Sequence, residues 1–148
     1  MFRYHDVAKA NLNFQYTIGA TNKRTINYNS NHSFESACIF FCEYKERVLQ
    51  LEVAEIDKLK IINFVSTLAF IISKHHLRTY NAFINNKKQI ETDFYEFINL
   101  LQEQCSDFNI ERSILIYPIN IGEIVEYILP ILKKADENAS KKFEEVKE

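Results

Sequence analysis

The chain has 148 residues with a formal net charge of −2 at pH 7, and hydrophobic residues make up 47% of it. These values are typical of a globular protein of one domain, so we expect residues 1–148 to form a single domain. The chain has only two Gly residues, which argues against a glycine-rich phosphate loop, and its near-neutral charge makes nucleic acid an unlikely partner.

The first third of the chain predicts β-strands. Residues 14–19 ("FQYTIG") and 24–30 ("RTINYNS") are rich in β-branched and aromatic side chains. The apolar runs 36–44 ("SACIFFCEY") and 47–56 ("RVLQLEVAEI") predict a hairpin around Lys45 and Glu46, although Lys-Glu is not a favoured turn pair. Both faces of this first run are apolar through position 41, which indicates a strand that is covered on both sides or exposed to a partner.

Residues 57–76 predict a helix, with Asp57 at the N-cap or in the first turn. Apolar side chains recur every three or four residues and leave a narrow polar stripe. A helix that is apolar around most of its circumference is covered on more than one side. We expect it to lie against the sheet.

The second half of the chain predicts two further strands, at 77–84 and 112–119. Residues 89–104 fit a helix slightly better than a strand that pairs back on 77–84, and both alternatives are left open. Together these elements predict an α+β fold, in which a long buried helix and a C-terminal helix pack on one face of an antiparallel sheet.

The C-terminal helix is predicted to begin after Asn120, which is a favoured N-cap residue. Pro130 is expected to kink or split it. Residues 133–148 are strongly charged and predict a solvated helix end or a frayed tail.

The adjacent histidines His75 and His76 fall at the predicted end of the helix 57–76. Basic groups there offset the negative end of the helix dipole, so we interpret the pair as a helix cap. Neighbouring residues lie about 100° apart around a helix, which does not favour chelation of one ion. His5 and His32 are distant in sequence. A partner contact and a catalytic or metal role are the alternatives; the sequence assigns no catalytic residue, metal ligand or cofactor.

The three cysteines are expected to be reduced thiols of a cytoplasmic protein. On a strand, Cys38 and Cys42 would lie about 13 Å apart, too far for a disulfide. The N-terminal residues lack a signal-peptide pattern. The apolar run 59–72 is too short and too interrupted to span a membrane, so we expect no membrane association.

Three stretches carry a resemblance to a known family: "ACIFFCEYKERVLQLEVAEI" (37–56), "KIINFVSTLAFIISKHHLRTYNAFI" (60–84) and "EIVEYILPILKKADENASKKFEEV" (123–146). Their order resembles the YbjN family and the related type III secretion chaperone-like fold. The resemblance implies a non-enzymatic fold that binds polypeptides, often as a dimer, and it implies no catalytic residues.

The sequence therefore predicts a protein-binding module, chaperone-like or an adaptor, whose partner is another protein, a peptide or a second copy of the chain. Its candidate contact residues are aromatic: Phe40, Phe41, Tyr44, Phe64 and Phe70. A small immunity or antitoxin protein that blocks a toxin is one alternative. A metal-dependent nuclease is the other, and it would gain support if Asp or Glu clustered with His75 or His76 in a cleft.

Overall fold

A computed structural model describes residues 4–10, 31–104 and 120–145. Within these ranges the chain forms α-helices and one short 3₁₀ turn, Val7–Ala10, and contains no strand. The α-helices are α1 (His32–Leu49), α2 (Glu55–Lys74), α3 (Tyr80–Ile84), α4 (Lys87–Gln104) and α5 (Ile121–Glu145).

The predicted α+β fold with an antiparallel sheet is therefore wrong, and the predicted hairpin of 36–44 and 47–56 shows why. Most of these residues belong to α1, which Asn31 begins by accepting a hydrogen bond from the backbone N–H of Phe34 at 3.3 Å. The buried side chains of α1 recur at helical spacing: Ser33, Ser36, Ala37, Phe40, Phe41 and Val48. The apparent strand was a nine-residue window of a longer helical pattern.

The segment 77–84 was also predicted as a strand, and this too is wrong. It contains the short helix α3 instead. The helix that was favoured over 89–104 is confirmed as α4, which excludes the alternative strand. Asn86 precedes α4 and accepts a hydrogen bond from the backbone N–H of Gln89 at 3.1 Å. The strands expected at 14–19, 24–30 and 112–119 lie outside the described residues.

Helix α2 is the centre of the structure. The predicted helix at 57–76 is confirmed within two residues at each end, and Asp57 lies in its first turn. As its sequence indicated, α2 is covered on several sides, but helices α1, α4 and α5 cover it rather than a sheet. The Phe70 ring is fully buried and lies 5.4 Å from the Phe94 ring and 5.6 Å from the Phe97 ring, both on α4.

Helix α5 begins as predicted, because the Asn120 side chain accepts a hydrogen bond from the backbone N–H of Glu123 at 3.2 Å. It runs through Pro130 without a break, so the proline does not split it. The charged segment that was expected to be a helix end or a tail is helical as far as Glu145. Val125, Leu129 and Leu132 form the buried face of α5.

The N-terminal segment 4–10 packs against α1. The Tyr4 hydroxyl donates a hydrogen bond to Glu43 Oε2 at 2.6 Å, and its ring lies 5.5 Å from that of Phe40. The buried backbone N–H of Ala8 donates to Ser36 Oγ at 3.0 Å. These contacts fix the position of the two residues between Tyr4 and Val7, which are His5 and Asp6.

Candidate metal centre

All four histidines of the chain converge on the carboxylate of Asp6. His32, His75 and His76 form one group with Asp6, and His5 forms a second group with Asp6 and Asp136. Within each group, the candidate ligand atoms all lie within 4.8 Å of one another.

The α1–α2 hairpin brings together three of the histidines. The two helices contain 18 and 20 residues, so they are about 27 and 30 Å long. Because residues 50–54 join them in a hairpin and their lengths are similar, the start of α1 lies next to the end of α2. His32 is the first residue of α1, and His75 and His76 follow the last residue of α2. The Nε2 atoms of His32 and His76 are consequently 2.8 Å apart.

His75 is held in a fixed orientation by the end of α2. It is the C-cap residue, it is 1% exposed, and its Nδ1 donates a hydrogen bond to the carbonyl of Ile72 at 2.6 Å. The predicted position at the helix end is therefore confirmed, with His75 as the C-cap, whereas the predicted effect of the pair on the helix dipole stays a prediction. Since Nδ1 is committed to this bond, Nε2 is the nitrogen that faces the cluster, and in a neutral ring it carries the lone pair that a metal ion needs.

Asp6 presents one carboxylate oxygen to the three histidines. Its Oδ1 is 3.4 Å from Nε2 of His32, 3.4 Å from Nε2 of His75 and 3.9 Å from Nε2 of His76. Asp6 Oδ1 and His75 Nε2 are both buried and have no hydrogen-bond partner among the described residues. Two facing acceptors are unfavourable unless a positive charge, either a proton or a metal ion, lies between them.

These distances fit a four-coordinate metal ion. A tetrahedral zinc with ligand bonds of 2.0–2.1 Å places its ligand atoms roughly 3.3 Å from one another. The four separations given above, from 2.8 to 3.9 Å, bracket that value, and all the candidate ligand atoms lie within 4.8 Å of one another. Three imidazoles with one carboxylate suit zinc and neighbouring divalent transition metals better than magnesium or calcium, which prefer all-oxygen sites.

The other oxygen of Asp6 faces the second group. Asp6 Oδ2 lies 2.5 Å from Lys9 Nζ and 3.4 Å from His5 Nε2. His5 Nε2 also lies 3.2 Å from Asp136 Oδ1, on α5. These contacts orient the carboxylate so that Oδ1 faces the three histidines. Because the Lys9 ammonium lies against Oδ2, it competes there with any second cation.

Two imidazoles of the first group, those of His76 and His32, are suited to metal binding near neutral pH. Burial, followed by the neighbouring His75 and His32, lowers the pKa of His76 to about 4. Burial likewise lowers the pKa of His32. Burial acts to raise the pKa of Asp6, but the contacts with His75 and Lys9 outweigh it and hold this pKa well below its usual value. Deprotonated imidazole and ionised carboxylate are the forms that bind metal.

The sequence did not predict this cluster because both histidines were assigned to the helix. His75 and His76 instead follow Lys74 in a turn, where helical spacing no longer applies, and their ring centres are 3.9 Å apart. The separation of His32 from His76 was the usable signal. The 44 positions between them match two helices of about 20 residues with a short connection. Such a helical hairpin brings its first and last residues close together.

The aromatic residues predicted to bind a partner lie mostly in the interior. Phe40, Phe41 and Phe70 are core residues that are at most 2% exposed, so they are not available at the surface of this structure. Tyr44 is half-buried, with its ring 5.8 Å from that of Tyr4. Phe64 is 41% exposed. A partner contact by Phe64 or Tyr44 stays a prediction.

Comparison with protein-family models, with curated proteins and with solved structures finds no match for this chain. The resemblance to the YbjN family therefore stays a prediction. Among the described helices, none combines the length and the apolar character needed to cross a membrane.

Proposed function

We propose that this chain is a metal-dependent hydrolase that cleaves phosphodiester bonds. The observation that carries the proposal is the convergence of every histidine in the chain on Asp6, with Asp136 beside them. The sequence-based expectation was a non-enzymatic binding module, with clustering of acids around His75 or His76 as the feature that would favour a nuclease. One acid, Asp6, lies beside both histidines, with its Oδ1 3.4 Å from His75 Nε2 and 3.9 Å from His76 Nε2.

The residues of the first group, His32, His75, His76 and Asp6, would hold the ion. Because these four residues would complete a tetrahedral site, a water molecule would have to enter as a fifth ligand on the exposed side of His76. An ion held in this way would activate that water and stabilise negative charge on the substrate. The geometry supports this assignment because His75 and Asp6 each point a buried, unpartnered atom at the same place. Access is from the side of His76, whose side chain is 43% exposed.

An anionic substrate is favoured by the charges beside the cluster. The Lys9 ammonium lies next to Asp6, and the Lys9 side chain is 40% exposed. Arg78 is exposed two residues after His76. Cations near a metal ion stabilise the negative charge that develops when a phosphodiester is attacked, and a neutral peptide bond has less need of them.

His5 is the residue placed to move a proton. Its Nε2 is shared between Asp136 Oδ1 at 3.2 Å and Asp6 Oδ2 at 3.4 Å, so two carboxylates orient the ring. An imidazole with a carboxylate partner is a common general acid or base. Its ring centre lies 5.1 Å from that of His75.

The test is hydrolysis by purified protein that has been stripped of metal and then supplied separately with zinc, manganese, cobalt or nickel. The substrates are bis(4-nitrophenyl) phosphate and a single-stranded oligonucleotide, with a 4-nitrophenyl ester as the neutral comparison. We expect wild type to cleave the phosphodiesters only when metal is supplied. The H75Q and D6N variants should lose this activity. Metal binding without phosphodiester cleavage under any of the four ions would reject the hydrolase.

Binding of another polypeptide is the second candidate, and one observation favours it. Four aliphatic side chains at the closed end of the α1–α2 hairpin are between 40% and 46% exposed: Leu49, Leu51, Val53 and Ile56. Exposed apolar groups this close in sequence are typical of a contact surface. Light scattering of wild type and an L51E/V53E variant would test self-association, and a monomeric wild type would argue against a dimer.

A further inference from the structure

We infer that Lys133 is a positioning residue for the metal centre, which it serves by holding the backbone turn that carries His75 and His76. This inference rests on the proposed metal site. Lys133 lies on α5 and belongs to neither group of candidate ligands. Its ammonium donates hydrogen bonds to the carbonyl of His75 at 3.0 Å and to that of Leu77 at 3.2 Å.

The turn needs an external donor because it follows the end of a helix. The last carbonyls of an α-helix and the residues beyond it have no amide partner one turn later, so a side chain or water must satisfy them. A lysine is well suited to this because it brings three donors and a charge that complements the negative end of α2. The two carbonyls that Lys133 binds flank His76.

Lys133 is itself held from several sides. The preceding residue, Leu132, is fully buried in the core, which fixes this part of α5 against the bundle. The ammonium also lies 4.9 Å from the centre of the Tyr80 ring, within cation–π range. The donor that fixes the turn is therefore anchored, which a solvent-exposed lysine would not be.

The consequence differs for the two histidines. His75 has a second anchor through the bond from its Nδ1 to Ile72 and is buried. His76 is partly exposed, so its position depends more on the backbone on either side of it. Loss of Lys133 should thus displace His76 first and leave a weaker site. Groups that orient metal ligands from outside the coordination sphere typically change affinity or activity by about 10–100-fold.

Helix α5 also carries Asp136, about one turn after Lys133. Asp136 contacts His5. One helix therefore supports both groups of the centre, the first through a backbone clamp and the second through a side chain. Lys134 offers a matched control, because it is the adjacent lysine on the same helix and is exposed.

The experiment titrates metal-stripped wild type, K133M, K133R and K134M with zinc in a calorimeter, and with cobalt in an absorption spectrometer that reports coordination geometry. We expect K133M to bind zinc at least about tenfold more weakly than wild type and to give an altered cobalt spectrum. K134M should match wild type in both measurements. K133R should bind zinc with an affinity between those of K133M and wild type. Thermal unfolding of each metal-free variant separates a lost clamp from a lost fold.

The outcomes distinguish this inference from the proposed function. A wild type that binds neither ion removes the metal site and the clamp together. A wild type that binds zinc, with K133M binding equally well and giving the same cobalt spectrum, overturns the role of Lys133 alone. If K133M fails to fold, K133Q takes its place: weaker zinc binding by folded K133Q than by wild type supports the clamp, whereas wild-type affinity and an unchanged cobalt spectrum overturn it.

Discussion

The Nε2 atoms of His32 and His76 lie 2.8 Å apart although the two residues are 44 positions apart in sequence. In the metal-free protein, one of these nitrogens must carry a hydrogen and donate it to the other. With an ion bound, both would present lone pairs to it. The same pair of atoms therefore serves as a hydrogen bond in one state and as two ligands in the other.

Replacing His32 by glutamine removes one ligand at the start of α1. We expect zinc affinity to fall by roughly 100-fold or more, since even residues behind the ligands cost 10–100-fold. Titration calorimetry of metal-stripped protein measures this. Q50A, at the opposite end of α1, is the control and should bind as wild type does; equal affinity in H32Q and Q50A would remove His32 from the site.

Replacing Asp6 by asparagine preserves shape but removes the charge that faces the three histidines. We expect loss of phosphodiester cleavage and weaker zinc binding, because a neutral amide is a poorer ligand than a carboxylate. E43Q is a suitable control, since Glu43 also holds the N-terminal segment, through Tyr4, but lies outside both groups. If D6N cleaved the substrate as fast as E43Q, the assignment of Asp6 would be wrong.

Lys9 is expected to limit the number of ions. Its ammonium lies against Asp6 Oδ2, where a second ion held by His5 and Asp136 would need a ligand. Wild type should therefore bind one zinc tightly and any second one weakly, whereas K9M should bind the second ion more tightly. Elemental analysis after gel filtration gives the ratio, and an unchanged ratio in K9M would show that Lys9 does not compete.

The metal-free protein should lose stability as the pH falls from about 6.5 to 4. An unfolded histidine takes up its proton near pH 6.5, while folded His76, which faces His75, His32, Asp136 and Asp6, does so only near 4. Between these values the unfolded state binds more protons, so the free energy of unfolding decreases with decreasing pH. His32 adds a contribution of the same sign.

Urea denaturation at several pH values in this window checks the sign. The H76Q variant should show a shallower decline than wild type, because its side chain at position 76 does not titrate. A wild-type curve that is flat across the window, or one that rises toward low pH, would contradict the lowered pKa.

Two phenylalanines on α2 provide a paired test of the core. Phe70 is fully buried, and its replacement by alanine should reduce the free energy of unfolding by about 3–5 kcal/mol. Phe64 is 41% exposed on the same helix, so F64A should cost much less. Chemical denaturation gives both values. Similar losses in the two variants would contradict the difference in burial between Phe70 and Phe64.

Helices were predictable where the apolar pattern was long. The helix predicted around Phe70 matches α2 within two residues at each end. The helix predicted after Asn120 matches the start of α5, including its N-cap residue. The strand prediction at 36–44 was wrong because it depended on a short pattern. Cys38, Phe40 and Cys42 alternate over five residues, whereas the helical pattern of α1 extends over 18. The low content of Gly and Pro also favoured long helices over hairpins.

The candidate site was harder to predict because it is a product of tertiary structure. His75 and His76 were recognised as a helix end, which is correct, but their ligand partners come from the starts of two other segments. Sequence spacing shows partners within one helix. It does not show that Asp6 lies beside the ends of α1 and α2. That position depends on the hydrogen bonds of Tyr4 and Ala8 to α1, which only the structure shows.

The short connection between α1 and α2 has a consequence for the order in which the chain assembles. Hairpins of neighbouring helices close early in folding because their contacts are local. Three imidazoles would thus meet as soon as that hairpin closes, whereas the carboxylate arrives later, from a segment more than twenty residues upstream of α1. A nascent chain would offer an ion a nitrogen-only half-site first, and the arrival of Asp6 would then lock the ion in place.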